Sequence, residues 1–148
     1  MRLTRFTDYS IRVLLYLAAK GEERSTIHEI SDTFNISRNH LMKVVQELSQ
    51  KHYVTAIRGK HGGIILTRDP ATIKLGELVR EMEHDTALVE CFQEENGCII
   101  TPACRLKPIL NEALSAFFDV LNCYTLADLL VDRHPQLAKL MRIPAISA

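Results

Sequence analysis

Two helix starts eleven residues apart, at Thr26 and Ser37, constrain this chain more than any other feature. Thr26-x-x-Glu29 has the form of a capping box, in which each side chain bonds the other residue's free backbone N–H. Ile27, Ile30 and Phe34 follow as one apolar stripe, which predicts a short helix ending near Asn35. Ser37 then offers a second N-cap, and Leu41, Val44, Val45 and Leu48 recur at i, i+3, i+4 and i+7. Two short amphipathic helices must therefore meet at a tight turn.

What flanks the pair narrows its use. A helix over about Thr4 to Lys20, largely buried, is predicted from Ile11, Leu14, Leu15 and Ala18, with Gly21 as its stop. The second short helix leaves Arg38, Asn39, His40, Lys43, Gln46 and Gln50 off its apolar stripe. All of them are able to hydrogen-bond base edges or phosphates. Tyr53 to Arg58 and Ile64 to Thr67 read as strands around Gly59-Lys-His-Gly-Gly63, a flexible, positively charged hairpin tip carrying Lys60 and His61 beside Arg58. A helix pair alone matches many structural proteins, but one followed by a basic hairpin is the order of a winged helix-turn-helix. The expected fold is mainly α with a small β-hairpin wing, and the expected partner is double-stranded DNA.

Charge agrees with that expectation. The 18 Lys and Arg balance the 18 Asp and Glu, yet residues 1–70 carry 11 against 7 and residues 71–148 carry 7 against 11. Between Arg38 and Arg68 there are six basic residues and one acid, Glu47, so that stretch is suited to an anion. With 47% hydrophobic and 24% charged residues the chain is not of a disordered composition. It has no apolar run long enough for a membrane span and no signal-peptide h-region, so a cytoplasmic protein with no membrane partner is expected. No paired acid and base, nucleophile triad or nucleotide-binding glycine loop points to an enzyme.

The acidic half opens with a helix marked by Leu75, Leu78, Val79 and Met82, then loses periodicity over residues 84–104. A helical stripe of Leu106, Ile109, Leu110, Ala113, Leu114, Phe117, Phe118 and Leu121 follows, with Pro108 tolerated in its first turn. So short a chain has few other elements to cover that face, which predicts a dimerisation helix. Thr125-x-x-Asp128 looks like a fresh cap before Leu126, Leu129 and Leu130, and Pro135 and Pro144 flank a polar tail. Three parts are expected: a DNA-binding domain over 1–83, a cysteine-bearing loop over 84–104, and a dimerisation helix and tail over 105–148.

That loop holds Cys91, Cys98 and Cys104 in the spacing C-x6-C-x5-C. Structural zinc sites usually use two short C-x-x-C pairs, which are missing, whereas one long loop suits a larger object such as an iron–sulfur cluster. Cys104 lies at a helix start beside Arg105 and Lys107, where dipole and charge favour a thiolate. The alternative is three unmetallated thiols. Three cysteines leave one iron position open, with Asp8, His84, Glu90 and Cys123 as candidate donors. Cys123 reads more naturally as a small buried apolar residue.

The chain resembles the winged-helix iron–sulfur repressors of the NsrR and IscR group over nearly its whole length. The resemblance rests on Phe6-Thr-Asp-Tyr-Ser-Ile-Arg-Val-Leu-Leu-Tyr16, Ser37-Arg-Asn-His-Leu-Met-Lys-Val-Val-Gln-Glu-Leu48 and Arg58-Gly-Lys-His-Gly-Gly-Ile64. It extends to Ile100-Thr-Pro-Ala-Cys104-Arg-Leu and Tyr124-Thr-Leu-Ala-Asp-Leu129. The second stretch and the last two look like the nitric-oxide-sensing NsrR branch in particular. The resemblance implies a homodimer in which Cys91, Cys98 and Cys104 hold the cluster and Asp8 stands where a carboxylate completes the ligation across the dimer. The competing use of Asp8 is to stabilise the N-terminus of its helix. Cys123 departs from the group's pattern.

From this follows an expected mechanism. Arg38, Asn39, His40 and Lys43 face the major groove, Arg58, Lys60 and His61 the minor groove, at half-sites about 10 to 10.5 base pairs apart. Nitric oxide acts at the cluster and the operator is released. A 4Fe-4S cluster is favoured, with 2Fe-2S as the alternative. Two other roles remain open: an iron–sulfur-status regulator of IscR type, or a zinc-stabilised DNA-binding module.

Overall fold

The computed structural model describes residues 1–144, so the last four residues of the expected tail lie outside the described residues. Helix α1 runs Arg5–Lys20; the Thr4 side chain accepts the Thr7 N–H, and Gly21, at φ 77°, closes the other end. Both halves of the capping box form at Thr26 and Glu29 ahead of α2, Ile27–Phe34. Asn35 then takes a left-handed conformation, and Ser37 caps α3, Arg38–Gln50, by accepting the His40 N–H. The Ser31 hydroxyl donates to the Ile36 carbonyl at 2.6 Å, which locks the turn between them.

Strands β1, Val54–Ile57, and β2, Gly63–Leu66, pair antiparallel with Val54 opposite Leu66 and Ile57 opposite Gly63. Ser25 adds one bridge position to the sheet, exchanging backbone hydrogen bonds with Ile64. The expected flexible tip is instead held. The Gly62 N–H donates to the Gly59 carbonyl at 2.9 Å, the Arg24 guanidinium donates to the His61 carbonyl, and Gly59 supplies φ 105°. A Cβ on Gly62 would lie 2.3 Å from the Ile57 carbonyl oxygen, so only glycine fits there.

Helix α4, Leu75–Met82, leads into the cysteine segment, which is irregular apart from single 3-10 turns at Glu90–Phe92 and Thr101–Ala103. Helix α5 spans Leu106–Asn122 and crosses α4 at Gly76, where an added Cβ would meet the Phe118 carbonyl oxygen at 2.6 Å. After a 3-10 turn at Ala127–Leu129 a last helix, α6, covers His134–Leu140.

One core joins these elements. Val13, Leu14 and Leu17 of α1, Ile30 of α2, Leu41, Val44 and Leu48 of α3 and Leu78 and Met82 of α4 are all but inaccessible. Each buried leucine of this kind stabilises the fold by roughly 1.5–3 kcal/mol relative to leaving it exposed. Leu126, Met141 and Ile143 belong to the same core, which therefore crosses the boundaries expected at residues 83 and 105. The polar tail is corrected in part: α6 packs on α1, and a His134 ring nitrogen lies 2.9 Å from the Ala19 carbonyl. Cys123 is corrected too. It is exposed at the end of α5, its thiol 3.4 Å from the Asp119 carbonyl, because the buried face there is formed by Phe118.

Candidate nucleic-acid interface and cysteine loop

The local chemistry of α3 explains why its outer face is polar. Leu41, Val44, Val45 and Leu48 bury one stripe, and that leaves Arg38, Asn39, His40, Lys43, Gln46 and Gln50 exposed on the other side. Across from them the wing exposes Arg58, Lys60 and His61. A concave surface joins the two: Asn39, Lys43, Gln46, Gln50 and Arg58 line one stretch, and Arg38 and Lys60 line the next. All seven sequence-predicted contact residues are thus exposed on the helix or the hairpin. His40 also lies against Tyr9, with ring centroids 6.0 Å apart.

Not every basic residue of the stretch is free to meet an anion. Lys51 pairs with Glu47 at 3.5 Å. Arg68 donates to the carbonyls of Lys51 at 2.8 Å and His52 at 3.2 Å, and its guanidinium covers the Tyr53 ring at 4.2 Å. It fastens the end of α3 to the base of the wing. Three residues that periodicity does not single out support the reading face. Arg24 holds the wing tip, Ser25 extends the sheet, and His28 lies 2.6 Å from Arg38. Arg24 and His28 carry one signal, their polar type around the first short helix, but nothing in their spacing marks them.

Lys20 is a buried cation, 6% exposed, whose ammonium donates to the Arg24 carbonyl at 3.0 Å and the Glu29 carboxylate at 3.1 Å. Partial burial raises the Glu29 carboxyl, but the Thr26 N–H and Lys20 outweigh it, and the net shift is below the ordinary range. The pair fixes the loop carrying Arg24 and hence the wing.

The cysteine segment is a surface loop organised by polar side chains. The Glu90 carboxylate accepts the Gly97 N–H at 2.6 Å, and the Asn96 side-chain oxygen accepts from the Cys98 N–H and the Thr101 hydroxyl. Cys91 sits in the first 3-10 turn and Cys104 follows the second. All three loop thiols are free and partly buried. The structure does not bring them together: among the described residues, no group of three His, Cys, Asp or Glu is arranged to hold a metal. Of the other candidate donors, His84 lies tilted beside Phe6, with ring centroids 5.8 Å apart, Glu90 is engaged with Gly97, and Cys123 is exposed at the end of α5. Asp8 forms a two-point pair with Arg12, at 2.7 and 3.2 Å. The donor set fits a thiolate-held iron centre: three free thiols on one segment, with Arg105 and Lys107 next to the third. Ile99, 93% exposed, and Ile100, 59% exposed, give that segment an uncovered apolar edge.

The edge continues onto α5, where Leu106, Ile109, Ala113, Ala116 and Val120 are exposed at alternating spacings of three and four. That is the period of a helix-to-helix seam. No helix among the described residues is long and apolar enough to cross a membrane.

Comparison with known proteins agrees with this arrangement. The family model described as "Rrf2: Iron-dependent Transcriptional regulator" matches residues 3–132. The HTH-type transcriptional regulator NsrR of Bacillus subtilis is 50% identical over 145 residues, 97% of this chain and 99% of its own. The regulator of the same name from Bacillus licheniformis is 51% identical over 135 residues, 90% and 94% of the two chains. Among solved structures, a transcriptional regulator from Listeria innocua has a TM-score of 0.71 at 30% identity, covering 88% of this chain and 86% of its own.

Proposed function

Since the chain belongs to the Rrf2 family of iron-dependent transcriptional regulators, a family of winged-helix DNA-binding proteins and not of enzymes, we propose that it is a cytoplasmic, homodimeric, nitric-oxide-responsive repressor. The observation that carries this reading is identity of about half the residues to regulators named NsrR across almost the whole chain. Arg38, Asn39, His40 and Lys43 of α3 enter the major groove, and Arg58, Lys60 and His61 follow the backbone into the minor groove. Two copies meet along the exposed face of α5 and read two half-sites. In this division of roles, residues 1–83 read DNA, 84–104 sense, and 105–148 dimerise.

Cys91, Cys98 and Cys104 would hold an iron–sulfur cluster, 4Fe-4S in preference to 2Fe-2S, with Asp8 as the fourth donor. Bound there, the cluster supplies iron, the part of the site with which nitric oxide reacts. The chain's own contribution is to anchor the end of α4, from which the sensing loop departs, to α1 and the wing at three places. The Thr4 N–H donates to the Glu83 carboxylate at 2.6 Å, Phe6 lies against His84, and the Tyr53 hydroxyl donates to Glu81 at 2.9 Å. A displaced loop pulls on α1 through the first two and on the base of the wing through the third.

The test is the visible spectrum of anaerobically purified protein with iron and sulfide assays, before and after stoichiometric nitric oxide. Binding is followed on the same sample, with a duplex enriched by the protein from a random library of about 30 base pairs. Brown protein that changes colour and releases the duplex supports the reading. Release on iron depletion but not with nitric oxide points to a cluster-status regulator instead, and colourless zinc protein to a structural metal.

A further inference from the structure

Arg38 is not a free side chain at the mouth of the groove. Its Nη2 lies 2.6 Å from Nδ1 of His28 on α2, and His28 Nε2 lies 3.2 Å from an oxygen of Asp32, one turn further along α2. A guanidinium has only N–H donors, so His28 Nδ1 is the acceptor. The single ring proton then stands on Nε2 and points to the Asp32 carboxylate. Donation runs one way, from Arg38 to His28 to Asp32, and one tautomer is selected by the partners on both sides. This ties the first residue of the reading helix to the outer face of the helix before it.

The contact does little for the free protein. His28 and Asp32 side chains are 59% and 64% exposed, and exposed pairs of this kind add little to stability in water. Its effect belongs to the bound state, where a duplex excludes water and each remaining polar contact strengthens. With one N–H given to His28, Arg38 keeps four for a phosphate or a base edge, presented from a restricted range of rotamers. The surroundings make that restraint necessary. Lys60 of the wing lines the same stretch of groove as Arg38, while Asp32 stands on the far side of the imidazole, 3.2 Å from His28 Nε2. Without the imidazole between them, Arg38 is drawn toward Asp32 and away from the groove.

We propose that His28 is a positioning residue for DNA recognition, holding the Arg38 guanidinium toward the duplex while Asp32 fixes the tautomer that allows it. The proposal rests on the reading of α3 as the DNA-reading helix. It is tested on anaerobically prepared protein with the library-enriched duplex. His28→Ala is expected to weaken binding about three- to tenfold. His28→Asn, whose amide oxygen stands near the Nδ1 position, restores most of the loss. In an Arg38→Ala background, His28→Ala has less than about a twofold further effect, as expected for two residues acting through one contact. A thermal midpoint within about 2 °C of wild type in each variant separates this from a folding defect.

Independently of DNA, nitrogen-15 NMR of the imidazole should show the Nε2–H tautomer in the wild type and a changed ring signal in Arg38→Ala. Full additivity of the two substitutions, or an Nδ1–H tautomer at His28, overturns the proposal. So does loss of binding in Arg38→Ala with none in His28→Ala. If Arg38→Ala itself binds normally, it is the placement of Arg38 on DNA that fails, and the positioning role falls with it.

Discussion

The backbone N–H of Thr4, the cap of α1, donates to the Glu83 carboxylate at 2.6 Å, joining the start of the first helix to the residue that ends α4. The bond is exposed, so its net contribution is modest, about 0.5–1.5 kcal/mol. Replacing Glu83 with Ala should therefore cost no more than that in urea unfolding. It should also abolish slowed hydrogen exchange at the Thr4 amide and blunt the response of DNA binding to nitric oxide. Unchanged protection at Thr4 would remove this link from the coupling route.

Lys60 projects from the wing without an ion-pair partner among the described residues, as a residue bound for a phosphate does. Lys60→Ala should weaken enriched and unrelated duplexes alike. The slope of log K against log salt should fall by about 0.9 for every phosphate no longer neutralised, counted over both copies. An unchanged slope means that the wing does not touch the backbone.

Along α5 Leu106, Ile109 and Val120 are exposed, and in the proposed dimer a second copy covers them. Ile109→Lys puts a charge in the middle of that seam. Sedimentation velocity should show a monomer whose helical circular dichroism is retained, with operator affinity falling as the second half-site goes unread. A variant that stays dimeric would place the interface elsewhere.

Leu41 and Met42 are neighbours with opposite environments, one inaccessible and the other 56% exposed. Leu41→Ala should destabilise the fold by about 2–5 kcal/mol, whereas Met42→Ala should change it by less than about 0.5 kcal/mol. Chemical denaturation of both variants checks the orientation of the whole reading helix, because a rotation of α3 by one residue would exchange the two results.

Tyr53 offers a test at high pH. Burial, then donation to Glu81 and the charge of that carboxylate, push its hydroxyl up to about 12 from an ordinary value of 10.0. Because the folded form holds this proton more tightly than the unfolded form, the stabilisation is complete below about pH 10 and is lost as pH rises toward about 12. Tyr53→Phe should flatten the fall in stability over that window, and the absorbance of ionised phenol should lose its component near pH 12 in that variant.

How much of the fold and the site is legible in the sequence depends on distance along the chain. The caps at Thr4, Thr26 and Ser37 and the stops at Gly21 and Asn35 act within a few residues, so the first three helices can be read directly. Helix α6 cannot: it has no side-chain cap, and the Ala19 carbonyl that meets His134 lies 115 residues away. Arg24 escapes notice for the same reason, since its partner His61 is 37 residues off. Cys123 misleads because α5 has apolar residues on two sides, and periodicity does not tell which side a neighbouring helix covers. Arg68 illustrates the converse. Composition counts it as one more cation for an anionic partner, and only the fold shows that carbonyls and an aromatic ring have claimed it.

The meeting of α4 and α5 at Gly76 has mechanical meaning. Gly76 puts no side chain of its own at the crossing, so the α4 backbone bears directly on the Asn122 side chain and the Phe118 carbonyl. If the long helix pivots against its counterpart in the dimer, α4 turns with it as one gear turns another. Its C-terminal end, tied through Glu81 to the wing and through Glu83 to α1, then carries both along.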